Sequence, residues 1–156
     1  MARVYIGVGS NKGDRKRHII RALKHLDLNA PITRISAFFS SIPAENARGG
    51  TFLNGVVECT TFLSPRGLLS FLRDIERAEG RSFPHGRGEP REVDLDIIFY
   101  GREKIESRDL VIPHPRYRFR DFVIIPLAEI APLLTDPVSG ERISEIRKRI
   151  DENENS

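Results

Sequence analysis

The chain is poor in several things at once. Of its 156 residues, one is cysteine, one is methionine and none is tryptophan. A lone Cys59 excludes an internal disulfide and a cysteine-built metal site, so the cytoplasm is the default compartment. No apolar run approaches the length that spans a bilayer. The opening residues, MARVYIGVGS, have neither the apolar stretch nor the cleavage pattern of a signal peptide. Neither sign of charge dominates: 25 basic and 22 acidic residues leave +3, too little to demand nucleic acid. Repeats and low-complexity linkers are also lacking. What remains, 39% hydrophobic and 30% charged, is an ordinary globular composition. The length suits one domain over residues 1–150, with a flexible polar tail, DENENS, at 151–156.

Periodicity supplies the elements. RVYIGV (3–8) reads as a first strand and GSNKGD (9–14) as a turn, whose glycines lack the spacing of a nucleotide-binding P-loop. Asp14 caps a helix to about Leu26, with Ile19, Ile20, Leu23 and Leu26 as its apolar stripe. ITRISAFFSS (32–41) is a second strand, IPAENARGG (42–50) a loop, and TFLNGVVECTTF (51–62) a third strand. Ser64–Pro65 starts a helix that buries Leu68, Leu69, Leu72 and Ile75 and ends at Gly80. The loop RSFPHGRGEP (81–90) leads into a fourth strand, EVDLDIIFY. This order predicts an α+β fold: a ferredoxin-like βαββαβ core with an antiparallel sheet. Two further helices, over the later part of FVIIPLAEI (122–130) and over ISEIRKRI (143–150), extend it to an αβα sandwich.

Three clusters carry chemistry. Asp94 and Asp96 alternate with Leu95 and Ile97, so both carboxylates leave one face of the strand. Parallel carboxylates repel unless a cation sits between them; either a divalent metal or arginines such as Arg91 must satisfy them. Arg81, His85, Arg87 and Arg91 stand in the loop before these acids, and metal-holding acids beside arginines suit phosphoryl transfer. His114, held between Pro113 and Pro115, opens a second cluster that continues through Arg116 and Arg120; a presented His or a surface His in a stiff loop both fit. Phe52 and Asn54 share one side of a strand, as a stacking ring and an amide for a flat heterocycle, or as a strand-end Phe and a turn Asn.

Together the clusters resemble a known family, 6-hydroxymethyl-7,8-dihydropterin pyrophosphokinase. The residues that carry the resemblance are Gly9-Ser10-Asn11, Phe52-Leu53-Asn54, Glu76, Gly80-Arg81, Pro90-Arg91 through Asp94-Leu95-Asp96-Ile97, Pro113-His114-Pro115-Arg116, and PLAEIAP (126–132). The resemblance implies transfer of pyrophosphate from ATP to the pterin hydroxymethyl group, with release of AMP. It implies two Mg²⁺ ions on Asp94 and Asp96, and Arg81 and Arg91 in a catalytic role. It implies ATP contacts from Arg81, Glu76, Arg91, His114, Arg116 and Arg120. A pterin pocket would comprise Ser41, Pro43, Ala44, Phe52, Asn54 and Phe122. The expected partners are these two small molecules, with no nucleic acid, no membrane and a monomeric chain. Four positions depart from the family's usual pattern. Gly88-Glu89 replaces Trp-Gly, Phe52 replaces a tyrosine, and Asp121 replaces a small residue.

Competing readings share parts of this pattern. A palm-like nucleotidyltransferase also mounts acids on a strand, but releases pyrophosphate. An RNA-binding module of the same topology needs exposed aromatics where this chain places acids. A small-molecule sensor domain leaves the arginine loop unexplained.

Overall fold

The computed structural model describes residues 1–41, 51–80 and 92–154. Strand β1 (Ala2–Ser10) leads through a turn to helix α1 (Arg15–Leu26), and strands β2 (Ile32–Ile35), β3 (Phe39–Ser41) and β4 (Phe52–Thr61) follow. Helix α2 (Pro65–Ala78), strand β5 (Asp94–Tyr100) and a small ribbon, β6 (Ile105–Glu106) with β7 (Val111–Ile112), come next. A single 3-10 turn (Tyr117–Phe119) then enters helix α3 (Asp121–Ile130), and helix α4 (Ile143–Glu154) closes the described chain. The sheet runs β2-β4-β1-β5, with β3 also on β4, and every pairing is antiparallel. That is the expected ferredoxin-like order.

The caps are those the sequence indicates. Asp14 accepts the Arg17 amide at the start of α1, and Ser64 accepts the Gly67 amide at the start of α2, with Pro65 in the first turn. Gly80 takes a φ of +109°, a conformation that suits glycine at a helix end.

Strand alternation sorts the core into two layers. Val4, Ile6, Val8, Val57, Cys59, Leu95 and Ile97 face α1 and α2 with Ile19, Leu26, Leu68, Leu72 and Ile75. Tyr5, Val56, Ile98 and Phe99 face the other way, against Ile124, Leu127, Ile143 and Ile146 of α3 and α4. Helices therefore cover both faces of the sheet.

Several local expectations are corrected. Ile20 is half exposed and Ala22 takes its place in the buried stripe of α1, because the inward arc runs 19–22–26. Gly9 and Ser10 belong to β1, where paired neighbours on both sides extend the strand beyond the glycine-rich signal. The second strand is interrupted at 36–38. There Ser36 Oγ accepts the Val56 amide at 2.9 Å, and the Ala37 amide donates to Glu129 of α3 at 2.9 Å. Helix α3 starts at Asp121 and runs through Pro126, so it is longer than its apolar spacing indicated. Helix α4 continues through Glu154, so residues 151–154 of the polar segment are helical.

The interrupted strand presses Phe38 onto Gly55. A Cβ at residue 55 would lie 2.6 Å from the Phe38 ring, which a ring packed against the core cannot yield cheaply. Gly55→Ala is expected to destabilise the protein by about 1–3 kcal/mol, as a shift in the denaturant midpoint.

Candidate active site

Register brings the three clusters to one end of one face. In β1, Gly9 pairs with Asn54 of β4 on one side and with Asp94 of β5 on the other. Gly7 pairs with Val56 and Asp96 in the same way. Tyr5, Gly7 and Gly9 share the face that looks toward α3, so the two glycines make a floor without side chains between the amide and the acids. The floor is tight: a Cβ on Gly9 would sit 2.9 Å from Asn54 Oδ1 and 3.4 Å from Phe52 Cδ1. Glycine is required here because of close approach and not because of an unusual φ. Phe52 and Asn54 stand on the same side of β4, and Ser41 lies in register opposite Phe52.

Strand β5 lies at the sheet edge, where one set of backbone groups has no partner strand. Helix α2 supplies the partners. The Leu95 amide donates to Glu76 Oε2 at 2.9 Å, and Arg73 Nη1 donates to the Leu95 carbonyl at 3.0 Å. Arg73 Nη1 also donates to Glu76 Oε1 at 2.7 Å, which offsets the cost of a fully buried carboxylate. The residue between the two aspartates is thus clamped at both its N–H and its C=O. Glu76, expected on the ATP side, holds this strand. Arg73 was missed in the sequence; an acid at position 76 on the buried stripe of Leu72 and Ile75 was the available signal.

Further along β5, the register with β1 slips so that Ile98 is an extra residue. Its carbonyl accepts the His114 amide at 3.0 Å, which docks the Pro-His-Pro segment beside the acids. His114 Nδ1 accepts the Arg116 amide at 3.1 Å, leaving the ring's proton on Nε2 as a donor. Burial, with the neighbouring Arg120 and Arg116 outweighing the opposite pull of Asp94, lowers the His114 pKa to about 4, so the ring is neutral at pH 7. Arg120 begins α3 and lies over the Phe122 ring, 5.6 Å from its centroid. The Arg116 side chain is exposed.

The Asp96 carboxyl is shifted toward its neutral form. Burial, then the Asp94 charge, then Glu76 push the Asp96 pKa up to about 7, against Arg73 and Arg120. Among the described residues, no group of three or more His, Cys, Asp or Glu side chains could hold a metal ion. The donor set is a carboxylate pair. It fits a cation that keeps most of its shell for water and phosphate oxygens, as Mg²⁺ does. The structure therefore brings together Asp94, Asp96, His114, Arg120, Phe122, Phe52 and Asn54. Pro43, Ala44, Arg81, His85, Arg87, Gly88, Glu89, Arg91 and the Ser41 side chain lie outside the described residues.

Comparison with known proteins accords with this geometry. Residues 5–132 match the family 7,8-dihydro-6-hydroxymethylpterin-pyrophosphokinase (HPPK). The chain belongs to that family. It is 37% identical over 147 residues to the 2-amino-4-hydroxy-6-hydroxymethyldihydropteridine pyrophosphokinase of Aquifex aeolicus, covering 94% of this chain and 91% of the relative. It is 38% identical over 148 residues to the folic acid synthesis protein fol1 of Pneumocystis carinii, covering 94% of this chain but only 20% of that longer protein. In three dimensions it is similar to a Plasmodium falciparum HPPK-DHPS triple mutant, with a TM-score of 0.77 at 14% identity; the match covers 96% of this chain and 44% of that one. At that identity the likeness concerns the fold. No helix among the described residues is long and apolar enough to cross a membrane.

Two outcomes test the site. Gly9→Ala should displace the Asn54 amide and weaken binding of a pterin about tenfold or more while the protein stays folded; binding titration and circular dichroism report on the two. The raised Asp96 pKa means that the fold binds a proton the unfolded chain has already lost between the ordinary carboxylate range and about pH 7. This contribution to stability is lost as pH rises across that window. In chelator, Asp96→Asn should therefore be more stable relative to wild type at pH 8 than at pH 5, as read by denaturant titration.

Proposed function

We propose that the chain transfers a pyrophosphoryl group from ATP to the hydroxymethyl oxygen of 6-hydroxymethyl-7,8-dihydropterin and releases AMP, a step of folate biosynthesis. The observation that carries this reading is the register at Gly9, with Asn54 on one side and Asp94 on the other. Two strand spacings separate those residues, about 9–10 Å. A bicyclic heterocycle with a one-carbon arm covers such a span: its amide-recognised edge meets Asn54 while its hydroxyl arrives at the acids. Phe52 and Phe122 supply faces for stacking, and by family resemblance Ser41, Pro43 and Ala44 belong to the same pocket.

On the nucleotide side, Asp94 and Asp96 would hold two Mg²⁺ ions. When bound, the metal supplies charge neutralisation on the polyphosphate and makes the hydroxyl more acidic. His114, neutral, offers an Nε2–H donor to a phosphate oxygen and adds no charge of its own. Arg120 adds a guanidinium close to the acids, and Arg116 projects from the same segment. By family resemblance Arg81 and Arg91 complete the cation set and stabilise the charge that moves onto the departing AMP oxygen. Most of the acceleration comes from alignment of the two substrates and from this charge stabilisation. We expect the chain to act as a monomer. A single buried thiol suits a reducing compartment such as the cytoplasm.

The test is the product. With ATP, Mg²⁺ and the pterin, AMP should accumulate in step with pterin pyrophosphate; release of inorganic pyrophosphate would instead favour nucleotidyl transfer. Asp94→Ala and Asp96→Ala should abolish turnover while the fold survives. Asn54→Ala should lower pterin affinity by about tenfold and change nucleotide affinity little, because it leaves the heterocycle's polar edge unpaired. Undiminished turnover in either aspartate variant would remove the metal mount from the reaction.

A further inference from the structure

Tyr117 stands midway between His114 and Arg120, three positions from each. Its backbone is tied to both: the Tyr117 amide donates to the His114 carbonyl at 3.4 Å, and the Arg120 amide donates to the Tyr117 carbonyl at 3.1 Å. From Pro115 to Phe119 it is the one buried residue. Tyr117 is thus the buried anchor in the middle of the segment that carries His114 and Arg120. The ring meets Phe99 edge-on, 4.9 Å between centroids, on the same face of the sheet as the aspartates.

The Tyr117 hydroxyl donates to Asp136 Oδ2 at 2.5 Å. Asp136 lies between α3 and α4 and is 2% exposed. Arg118 Nη2 donates to the same oxygen at 3.1 Å, while Oδ1 accepts the Val138 and Ser139 amides at 2.7 and 3.1 Å. Burial alone would raise its pKa, but these bonds hold the carboxyl below its usual range. It is thus a fixed, charged acceptor on a tight turn. Asp136 also lies beyond residue 132, where the match to the family ends.

We infer that the Asp136–Tyr117 hydrogen bond positions the nucleotide-side groups, setting where His114 and Arg120 stand relative to Asp94 and Asp96. The inference rests on the reading that His114 and Arg120 meet ATP. Asp136 and Tyr117 act through the backbone of the 114–120 segment and need touch neither substrate. Losing the bond leaves the segment a spread of positions, and misplaced donors bind a polyphosphate less well.

The experiment uses Tyr117→Phe and Asp136→Asn in the full chain, with Tyr5→Phe as a matched control. Tyr5 loses a comparable buried bond, from its hydroxyl to Glu58 Oε2 at 2.6 Å, on the same face of the sheet. Binding of a non-hydrolysable ATP analogue with Mg²⁺ is titrated, as is binding of the pterin alone, and Tm is recorded. Tyr117→Phe and Asp136→Asn should weaken the analogue about five- to tenfold and raise KM for ATP more than they lower kcat. Pterin affinity should stay within about twofold of wild type. Tyr5→Phe should lower Tm but leave analogue affinity unchanged. Analogue binding as tight as wild type in either Tyr117→Phe or Asp136→Asn would overturn the inference, as would equal weakening by Tyr5→Phe. His114→Ala and Arg120→Ala separate the two levels of the argument. If both bind the analogue normally, the nucleotide-side reading fails and this inference with it; if they bind weakly and Tyr117→Phe does not, this inference alone fails.

Discussion

Two carboxylates work as a pair only if the strand between them cannot slide or fray. Strand β5 is an edge strand, and Leu95, between the aspartates, turns its N–H and C=O away from β1. Glu76 and Arg73 take both groups, so a helix performs for this residue what a neighbouring strand would otherwise do. A buried carboxylate is expensive, and replacing such a pair by apolar residues often costs nothing in stability. Here an apolar replacement would leave an edge amide and carbonyl without partners. Polar residues on the buried stripe of α2 thus connect the core to the geometry of the acids.

The same strand also explains how the histidine segment arrives. A regular ladder would use the Ile98 carbonyl for pairing with β1. The extra residue at the bulge releases that carbonyl, and the His114 amide takes it. Downstream, Tyr117 packs against Phe99 of the same bulged stretch, and Arg120 opens α3 over Phe122. That irregularity in β5 thereby brings His114, Arg120 and Phe122 to the end of the sheet where Asp94 and Asp96 stand.

The electrostatics of that end are consistent with a site meant to receive charge. Burial moves Asp96 up and His114 down, each toward its neutral form. A cation near the aspartates would favour the ionised Asp96, and a neutral His114 donor leaves charge balance to metal and arginine.

Local chemistry in the sequence was sufficient for the helix starts at Asp14 and Ser64, for the common face of Asp94 and Asp96, and for the βαββαβ order. Each of these depends on residues within a few positions of one another, through capping bonds or period-two alternation. The resemblance added which cations and rings to look for. Tertiary structure alone decided that Gly9 lies between Asn54 and Asp94, since strand register depends on partners about 45 and 85 residues away. It also decided that Glu76 supports Leu95, that Ser36 and Glu129 accommodate a break in the second strand, and that Tyr117 is anchored on Asp136. Those contacts join elements whose spacing carries no periodic signal. Long-range pairing, unlike a cap or a stripe, is settled only when the sheet and its covering helices close on one another.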